Sequence, residues 1–179
     1  MTTIQLINPE KETGTKKDLL AEIQKAFGAT PNMFKAIANS EAALESMWGS
    51  FKALGKGTIS AKLGEQIAVA IADQNSCEYC LAAHSALGVG AGLSLETLAL
   101  AQIGISEDAK TRAALEFAIK LVQKKGKVNQ QDISEIKGSG FSDEEIVEIL
   151  AHVALNIFTN YTNIAFNVEV DFPKIKLSK

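Results

Sequence analysis

The sequence predicts an all-α protein, a bundle of about seven to eight helices forming a single domain over residues 1–179. Only three prolines are present, at Pro9, Pro31 and Pro173, so the interior of the chain lacks the strongest helix breaker. The alternating apolar and polar runs typical of strands are absent, and Ala and Leu dominate over the better strand formers. The connections between the helical segments are short, as in a helical bundle.

Capping residues and glycines mark where the predicted helices begin and end. The first helix covers about residues 16–26 and stops at Gly28. Ser60 is placed to cap a later helix, and Ser142 with Glu145 forms a capping box for the last one. The other predicted helical segments cover about residues 33–38, 41–54, 61–74, 77 to between 88 and 92, 94–102, 106–125, 131–137 and 142–166.

Charge and hydropathy argue against two classes of function. The 18 basic and 21 acidic residues give a net charge of -3, and the lysines are scattered, so we expect no nucleic-acid partner. The longest apolar run, residues 67–72, is far shorter than the roughly 20 residues that span a bilayer, so we expect no membrane segment. The N-terminal residues resemble no signal peptide, which predicts a cytoplasmic location.

The last predicted helix carries an apolar stripe of unusual width. Such a stripe lies either at the centre of the monomer or in an interface with a second subunit, and the pattern favours neither. His152 falls within this helix, and we interpret it as a hydrogen-bonded core residue.

The two cysteines, Cys77 and Cys80, are followed by His84 one helical turn later. Residues three and four apart share a helix face, which would place the two Cα atoms within the roughly 4.4–6.8 Å that a disulfide accepts. A disulfide across so short a loop stabilises a fold very little. In a reducing compartment such a pair is more typical of a redox or metal site.

Two neighbouring groups are expected to assist these thiols. His84 can take a thiol proton directly or through one water, whereas the helix N-terminus favours a thiolate at both cysteines and most at Cys77. Glu65 lies on the preceding predicted helix among apolar residues, where a carboxylate needs a partner such as a histidine. The pattern alone also permits an exposed position for Glu65 on the outer face of that helix.

The spacing E-x11-C-x2-C-x3-H, formed here by Glu65, Cys77, Cys80 and His84, resembles the active-site signature of the alkylhydroperoxidase D-like branch of the carboxymuconolactone decarboxylase superfamily. The segment Pro31-Asn32-Met33-Phe34 and residues 153–173 also resemble that branch. The resemblance implies an all-α fold of the alkylhydroperoxidase D-like type, with a helical hairpin at its core. It also implies assembly as a homo-oligomer such as a trimer or hexamer, and no bound cofactor or metal.

The same resemblance implies a role for each residue of the signature. Cys80 would be the peroxidatic thiol and Cys77 the resolving thiol, while Glu65 and His84 would form a proton relay. The substrate would be a small hydroperoxide, and an external dithiol or a lipoyl-bearing protein would be the reductant. Tyr79 stands where some members carry a histidine. The decarboxylase branch lacks the cysteine pair, so lactone decarboxylation is not expected.

Two alternatives share these residues. Cys77, Cys80 and His84, with Glu65 or His152 as a fourth ligand, would make a zinc site, although three ligands within two turns of one helix are unusual. A non-enzymatic redox sensor would use the same thiol chemistry without rapid turnover.

Overall fold

A computed structural model describes residues 2–178 of the chain, and within that range the secondary structure is helical, without a strand. The all-α prediction is confirmed. The described residues form nine α-helices, one of which has only six residues, and a 3-10 turn at Pro9–Lys11. The helices are α1 (Gly14–Phe27), α2 (Asn32–Ile37), α3 (Glu41–Leu54), α4 (Ala61–Gln74), α5 (Glu78–Gly90), α6 (Leu95–Gln102), α7 (Ala109–Gln123), α8 (Gln130–Gly138) and α9 (Asp143–Ala165).

Local capping explains where the predicted boundaries hold and where they move. Helices α3 and α4 begin and end as predicted, and the Ser60 hydroxyl caps α4 by accepting from the Leu63 amide. Helix α7 begins at Ala109, later than predicted, because Asp108 rather than Ser106 is its N-cap. The Asp108 carboxylate accepts from the Thr111 amide at 2.7 Å. The 3-10 turn at Pro9–Lys11 was not predicted.

Helix α4 lies at the centre of the bundle, where it contacts α5, α6, α7 and α9. Its apolar side chains Ile67, Val69 and Ile71 are completely buried, and burial of each contributes about 1.5–3 kcal/mol to folding. A tight turn joins α4 to α5, with Ser76 in the left-handed region and the Cys77 amide donating to the Ala72 carbonyl at 2.8 Å. Because this hairpin is antiparallel, side chains of α4 and α5 face one another along its length.

Helix α9 has two different faces. Its outer face carries large exposed apolar side chains, whereas its inner face is buried against the rest of the bundle and carries both apolar and polar side chains. The apolar stripe predicted for this helix is therefore divided between the monomer core and the surface. The exposed apolar residues are Val147, Leu150, Tyr161 and Ile164, and the buried polar residues are Asn156, Thr159, Asn160, Thr162 and Asn163.

The C-terminal segment, residues 167–178, packs back across the bundle. Asp171 accepts from the Asn32 amide at 2.8 Å, and the buried Asp73 accepts from the Ser178 amide at 2.8 Å. Phe172 meets the ring of Tyr79 edge to face at 5.8 Å. The segment therefore links α2, α4 and α5. None of the helices in residues 2–178 has the length and hydropathy required to cross a membrane.

Helices α7 and α8 are joined by a polar cluster around Asp132. The Asp132 carboxylate accepts from the ammonium groups of Lys120 at 2.6 Å and Lys124 at 3.3 Å, and from the Asn129 amide at 2.9 Å. Asn129 in return caps α8 by accepting from the Asp132 amide. These bonds lower the pKa of the Asp132 carboxyl to about 2, with the Lys120 bond as the largest cause.

Candidate active site

Cys77 and Cys80 are joined in a disulfide, with their Cα atoms 5.4 Å apart, and both residues are buried. The prediction that Cys77 lies within the helix is off by one residue, because α5 begins at Glu78 and Cys77 is its N-cap. The Cys77 sulfur accepts from the Cys80 amide at 3.3 Å. The Cα separation lies in the middle of the range that disulfides accept, so the pair can open and close with little backbone motion.

Glu65 and His84 form the polar pair predicted beside the cysteines. Oε2 of Glu65 lies 2.8 Å from Nδ1 of His84, and the two side chains are only 21% and 12% exposed. The alternative of an exposed Glu65 on the outer face of α4 is therefore wrong. A carboxylate on Nδ1 orients the imidazole and supports positive charge on it, which leaves Nε2 for exchange with a second group.

A small apolar cavity of about 30 Å³ lies over Cys80 and His84. Its volume is sufficient for about one water molecule, which is enough to carry a proton between a sulfur and an imidazole. Aromatic side chains of α1–α3, α5 and the C-terminal segment form part of its wall. These aromatic residues are Phe27, Phe34, Phe51 and Phe172, joined by Tyr79.

Asn163 of α9 is a site residue that the sequence analysis missed. Its Nδ2 donates to the sulfur of Cys80 at 3.2 Å, and the residue is 3% exposed. Donation to a sulfur favours its anionic form, most strongly away from water. A signal was present in the sequence, because Asn156, Asn160 and Asn163 recur at helical spacing in a helix that carries a wide apolar stripe.

Tyr79 forms a structural link between α5 and α2. Its hydroxyl oxygen accepts from the buried Met33 amide at 3.1 Å. Burial raises the pKa of Tyr79 well above its ordinary value, so the phenol keeps its proton at any physiological pH. The histidine found here in some members of the resembled branch is thus replaced by a group that does not exchange protons.

His152 does not occupy the satisfied core position that we expected. Its Nε2 is buried and has no hydrogen-bond partner within residues 2–178, so that interpretation is wrong for this nitrogen. His152 borders a second recess, of about 190 Å³, together with Glu65 and His84. A polar histidine nitrogen on the far side of the Glu65–His84 pair is a feature of the site that the sequence pattern did not reveal.

The arrangement of ligands weighs against a zinc site. Across the part of the chain that the structure describes, no three His, Cys, Asp or Glu side chains are grouped so that they could hold a metal ion. A closed zinc site needs four such ligands in tetrahedral geometry. The geometry instead brings together two sulfurs, an acid–base pair and an amide donor.

A model of the carboxymuconolactone decarboxylase family matches residues 39–124, which include α3 to α7 and all four predicted site residues. Over this region, slightly less than half of the 179 residues, the chain is similar to the family. No curated protein sequence matches the chain significantly. The matched region ends before α9, so Asn163 and His152 reach the site from outside it.

Solved structures of the same fold extend over nearly the whole chain. A peroxidase-related protein from Ralstonia eutropha JMP134, described as an alkylhydroperoxidase AhpD core, has a TM-score of 0.84 and 23% identity, covering 95% of this chain and 92% of its own. A peroxidase-related protein from Silicibacter sp. TM1040 has a TM-score of 0.81 and 23% identity, covering 94% and 91%. At these identities the likeness establishes the alkylhydroperoxidase D-like fold.

A protein with a different activity shares this fold. A cysteine-to-alanine variant of the debrominase Bmp8, solved with 2,3,4-tribromopyrrole, has a TM-score of 0.80 and 19% identity, and the match covers 96% of this chain and 94% of that one. The fold therefore supports more than one reaction, and the site residues have to carry any functional argument.

Proposed function

We propose that this protein is a thiol-dependent peroxidase that reduces small hydroperoxides through a dithiol/disulfide cycle of Cys77 and Cys80. The observation that carries the proposal is the Glu65–His84 pair, whose imidazole borders the same cavity as the Cys80 sulfur. The family contributes the expectation of an enzyme, and the peroxidase-related neighbours are consistent with this chemistry. No cofactor is required, because both electrons come from sulfur.

Cys80 is assigned as the peroxidatic thiol because His84 and Asn163 both act on it. His84 takes the thiol proton through the cavity, and Nδ2 of Asn163 stabilises the resulting thiolate. The thiolate attacks one peroxide oxygen, so that an S–O bond forms and the O–O bond breaks. The alkoxide that leaves takes a proton from the imidazolium of His84, giving an alcohol and a sulfenic acid at Cys80.

Cys77 is assigned as the resolving thiol because the disulfide already joins it to Cys80. The Cys77 thiol condenses with the sulfenic acid, which forms the S–S bond and releases water. An external dithiol then attacks the disulfide and leaves as an oxidised disulfide, returning both cysteines to thiols. Over one cycle the hydroperoxide and the dithiol become an alcohol, water and a disulfide.

The reductant is proposed to approach from the side of Cys77. Cys77 borders an open, mixed polar and apolar recess of about 580 Å³ between the start of α5 and the end of α9, whereas Cys80 borders the small cavity. Attack on the Cys77 sulfur makes Cys80 the leaving thiolate, and Asn163 stabilises that anion. A lipoyl group or another small dithiol fits such an opening, and a reducing cytoplasm would supply it.

The experiment that tests the proposal measures peroxide consumption with dithiothreitol as the reductant. We expect Cys80→Ser to lose the reaction with peroxide, and Cys77→Ser to react once and then stop as a sulfenic acid, which dimedone traps. Free thiols that survive prolonged peroxide treatment of the reduced wild-type protein would reject the proposal. Equal residual cycling in the two variants would contradict the assigned roles.

The same assay separates the alternatives. A redox sensor would oxidise once but turn over slowly with dithiol, whereas a peroxidase cycles. Stoichiometric zinc that survives dialysis of the purified protein would favour the metal-binding alternative.

A homo-oligomer, such as a trimer or hexamer, is part of the proposal. The outer face of α9 exposes Val147, Leu150, Tyr161 and Ile164, and adjacent apolar side chains of this kind are typical of an interface between subunits. Light scattering coupled to size-exclusion chromatography tests this point. A monomer at all concentrations would reject it without affecting the proposed chemistry.

A further inference from the structure

A chain of polar groups continues beyond the Glu65–His84 pair on the side away from the cysteines. His84 borders both the cavity of Cys80 and the recess of about 190 Å³, whereas Glu65 borders only the recess and Cys80 only the cavity. The pair thus separates two spaces, one that contains the reacting sulfur and one that does not. His152 and Asn156 of α9 also border the recess.

His152 and Asn156 present polar atoms that the fold itself leaves unpaired. Nε2 of His152 and Oδ1 of Asn156 are buried without a hydrogen-bond partner anywhere in residues 2–178, and Asn156 is 5% exposed. Nδ2 of Asn156 donates to the His152 carbonyl at 2.9 Å, which holds the amide on the same turn of α9. Leaving such atoms unpaired is unfavourable, so a functional reason for them is expected.

The position of the His152 ring places it close to Glu65. A Cβ added at Gly64, the residue before Glu65, would lie 3.5 Å from Cε1 of His152. The imidazole of His152 therefore packs directly on the backbone of α4. A larger residue at position 64 would change the distance between this imidazole and α4.

The surroundings of His152 act on its pKa in opposite directions. Burial lowers the pKa of His152, the carboxylates of Glu148 and Glu65 oppose this, and His84 adds to it. Glu148 is itself held in place by the amides of Thr58 and Ile59 at 2.7 and 2.9 Å. A neutral imidazole donates from one nitrogen and accepts at the other, which is what a proton relay needs.

We propose that His152 forms the outer part of the proton relay, through which the Glu65–His84 pair exchanges protons with solvent in the recess, and that Oδ1 of Asn156 positions that solvent by accepting a hydrogen bond from it. The inference rests on the proposed peroxidase function. When the Cys80 thiol ionises, its proton passes to the pair and leaves through His152. Before the alkoxide leaves, a proton returns by the same path to His84, whose imidazolium donates it to the alkoxide, so the relay ends the step unchanged. His152 acts through Glu65 and His84 and does not touch the peroxide.

The test follows a single oxidation of the reduced protein by excess tert-butyl hydroperoxide, across pH and with or without added imidazole. We expect His152→Ala and His152→Gln each to slow thiol loss about tenfold at neutral pH, a smaller effect than the loss of a direct acid–base group. Imidazole in solution should restore the rate of His152→Ala, because the recess can admit it. The glutamine side chain fills the space without transferring protons, so His152→Gln should not be rescued.

Each result has a defined consequence. A wild-type rate in His152→Gln, or an equal loss in both variants without rescue of His152→Ala, would overturn the inference, because His152 would then act only by packing. If His152→Ala does not fold, His152→Gln is used alone, provided that it melts at the wild-type temperature. A wild-type rate of thiol loss in that variant would overturn the inference, and a rate about tenfold lower would support it. Wild-type protein that keeps its thiols would reject the proposed function, and this inference with it. Glu144→Gln, an exposed change elsewhere on α9, is the control and should react at the wild-type rate.

Discussion

The cluster around Asp132 and the inner face of α9 both contain buried polar side chains. In the Asp132 cluster the carboxylate is hydrogen-bonded within the protein, whereas on α9 several polar atoms are not bonded in this way within residues 2–178. Asp132 accepts three hydrogen bonds from Lys120, Lys124 and Asn129. On α9, four buried side-chain atoms lack a partner among the described residues, and the residues that carry them, all but Asn160, border the cavity of Cys80 or the His152 recess. They are Nε2 of His152, Oδ1 of Asn156, Nδ2 of Asn160 and Oδ1 of Asn163.

The difference between the two regions indicates that buried polar side chains serve two purposes in this protein. The Asp132 bonds join two helices and fix the start of α8, so they contribute to the fold. Polar atoms on α9 that have no protein partner in the described part of the chain remain available to transient partners such as protons, water and peroxide. The predictions below test this contrast, beginning with the largest expected effect.

Glu65→Gln should slow the peroxide step about a hundredfold. The amide keeps the size of the side chain but not the charge that supports a protonated His84. The measurement is the rate of thiol loss in the reduced protein under excess peroxide. Glu96→Gln, an exposed change on α6, is the matched control and should leave the rate unchanged. A loss of less than twofold in Glu65→Gln would show that the pair is structural.

Tyr79→Phe should lower the free energy of unfolding by about 1–3 kcal/mol, because the buried Met33 amide loses its acceptor. Urea denaturation followed by circular dichroism measures this. The control is Tyr161→Phe on the outer face of α9, where the side chain is 60% exposed and little change is expected. Since the Tyr79 phenol exchanges no protons, the pH dependence of peroxide reduction should stay as in the wild type. A changed pH profile would contradict its structural role.

Asn163→Ala should slow the peroxide step about tenfold, which corresponds to the loss of one hydrogen bond to a charged group. The removed donor also stabilises the Cys80 thiolate, so the pKa of the Cys80 thiol should rise. Ultraviolet absorbance of the thiolate, titrated in a Cys77→Ser background, measures this shift directly. Thr162→Val changes a neighbouring buried group that donates to the Phe158 carbonyl of its own helix, and it should leave the titration unchanged. If the pKa of the Cys80 thiol is the same in the Cys77→Ser background and in both added variants, Asn163 does not stabilise the thiolate.

Asp132→Asn should cause a smaller loss of stability, visible at neutral pH and absent in acid. The native pKa of about 2 lies below the ordinary value of 3.8, so the carboxylate stabilises the fold above about pH 4. This contribution is lost as the pH falls from about 4 to about 2. The measurement is the difference in urea midpoint between wild type and variant at each pH. Asp18→Asn on the exposed face of α1 is the control, and a difference that persists at pH 2 would contradict the assignment to charge.

Much of the site could be read from the chain because its geometry is local. Cys77 and Cys80 are three residues apart, and the turn between α4 and α5 returns the chain so that Glu65 meets His84 across one hairpin. Likewise, the caps at Ser60 and Ser142 act on amides three residues away. Such interactions recur wherever the same residues have the same spacing, so a spacing pattern predicts them.

The contacts that only the tertiary structure decided join residues that are far apart in the sequence. Asn163 is 83 residues from Cys80, and Tyr79 is 46 residues from Met33. No spacing rule connects such pairs, because their contact depends on how α9 and α2 pack against the central hairpin. The orientation of α9 could not be predicted for the same reason. Its sequence contains an apolar stripe and a set of polar residues, but it does not indicate which residues each of them contacts. Packing turned Asn163 toward Cys80 and placed His152 beside α4, and it divided the apolar side chains of α9 between the core and the surface.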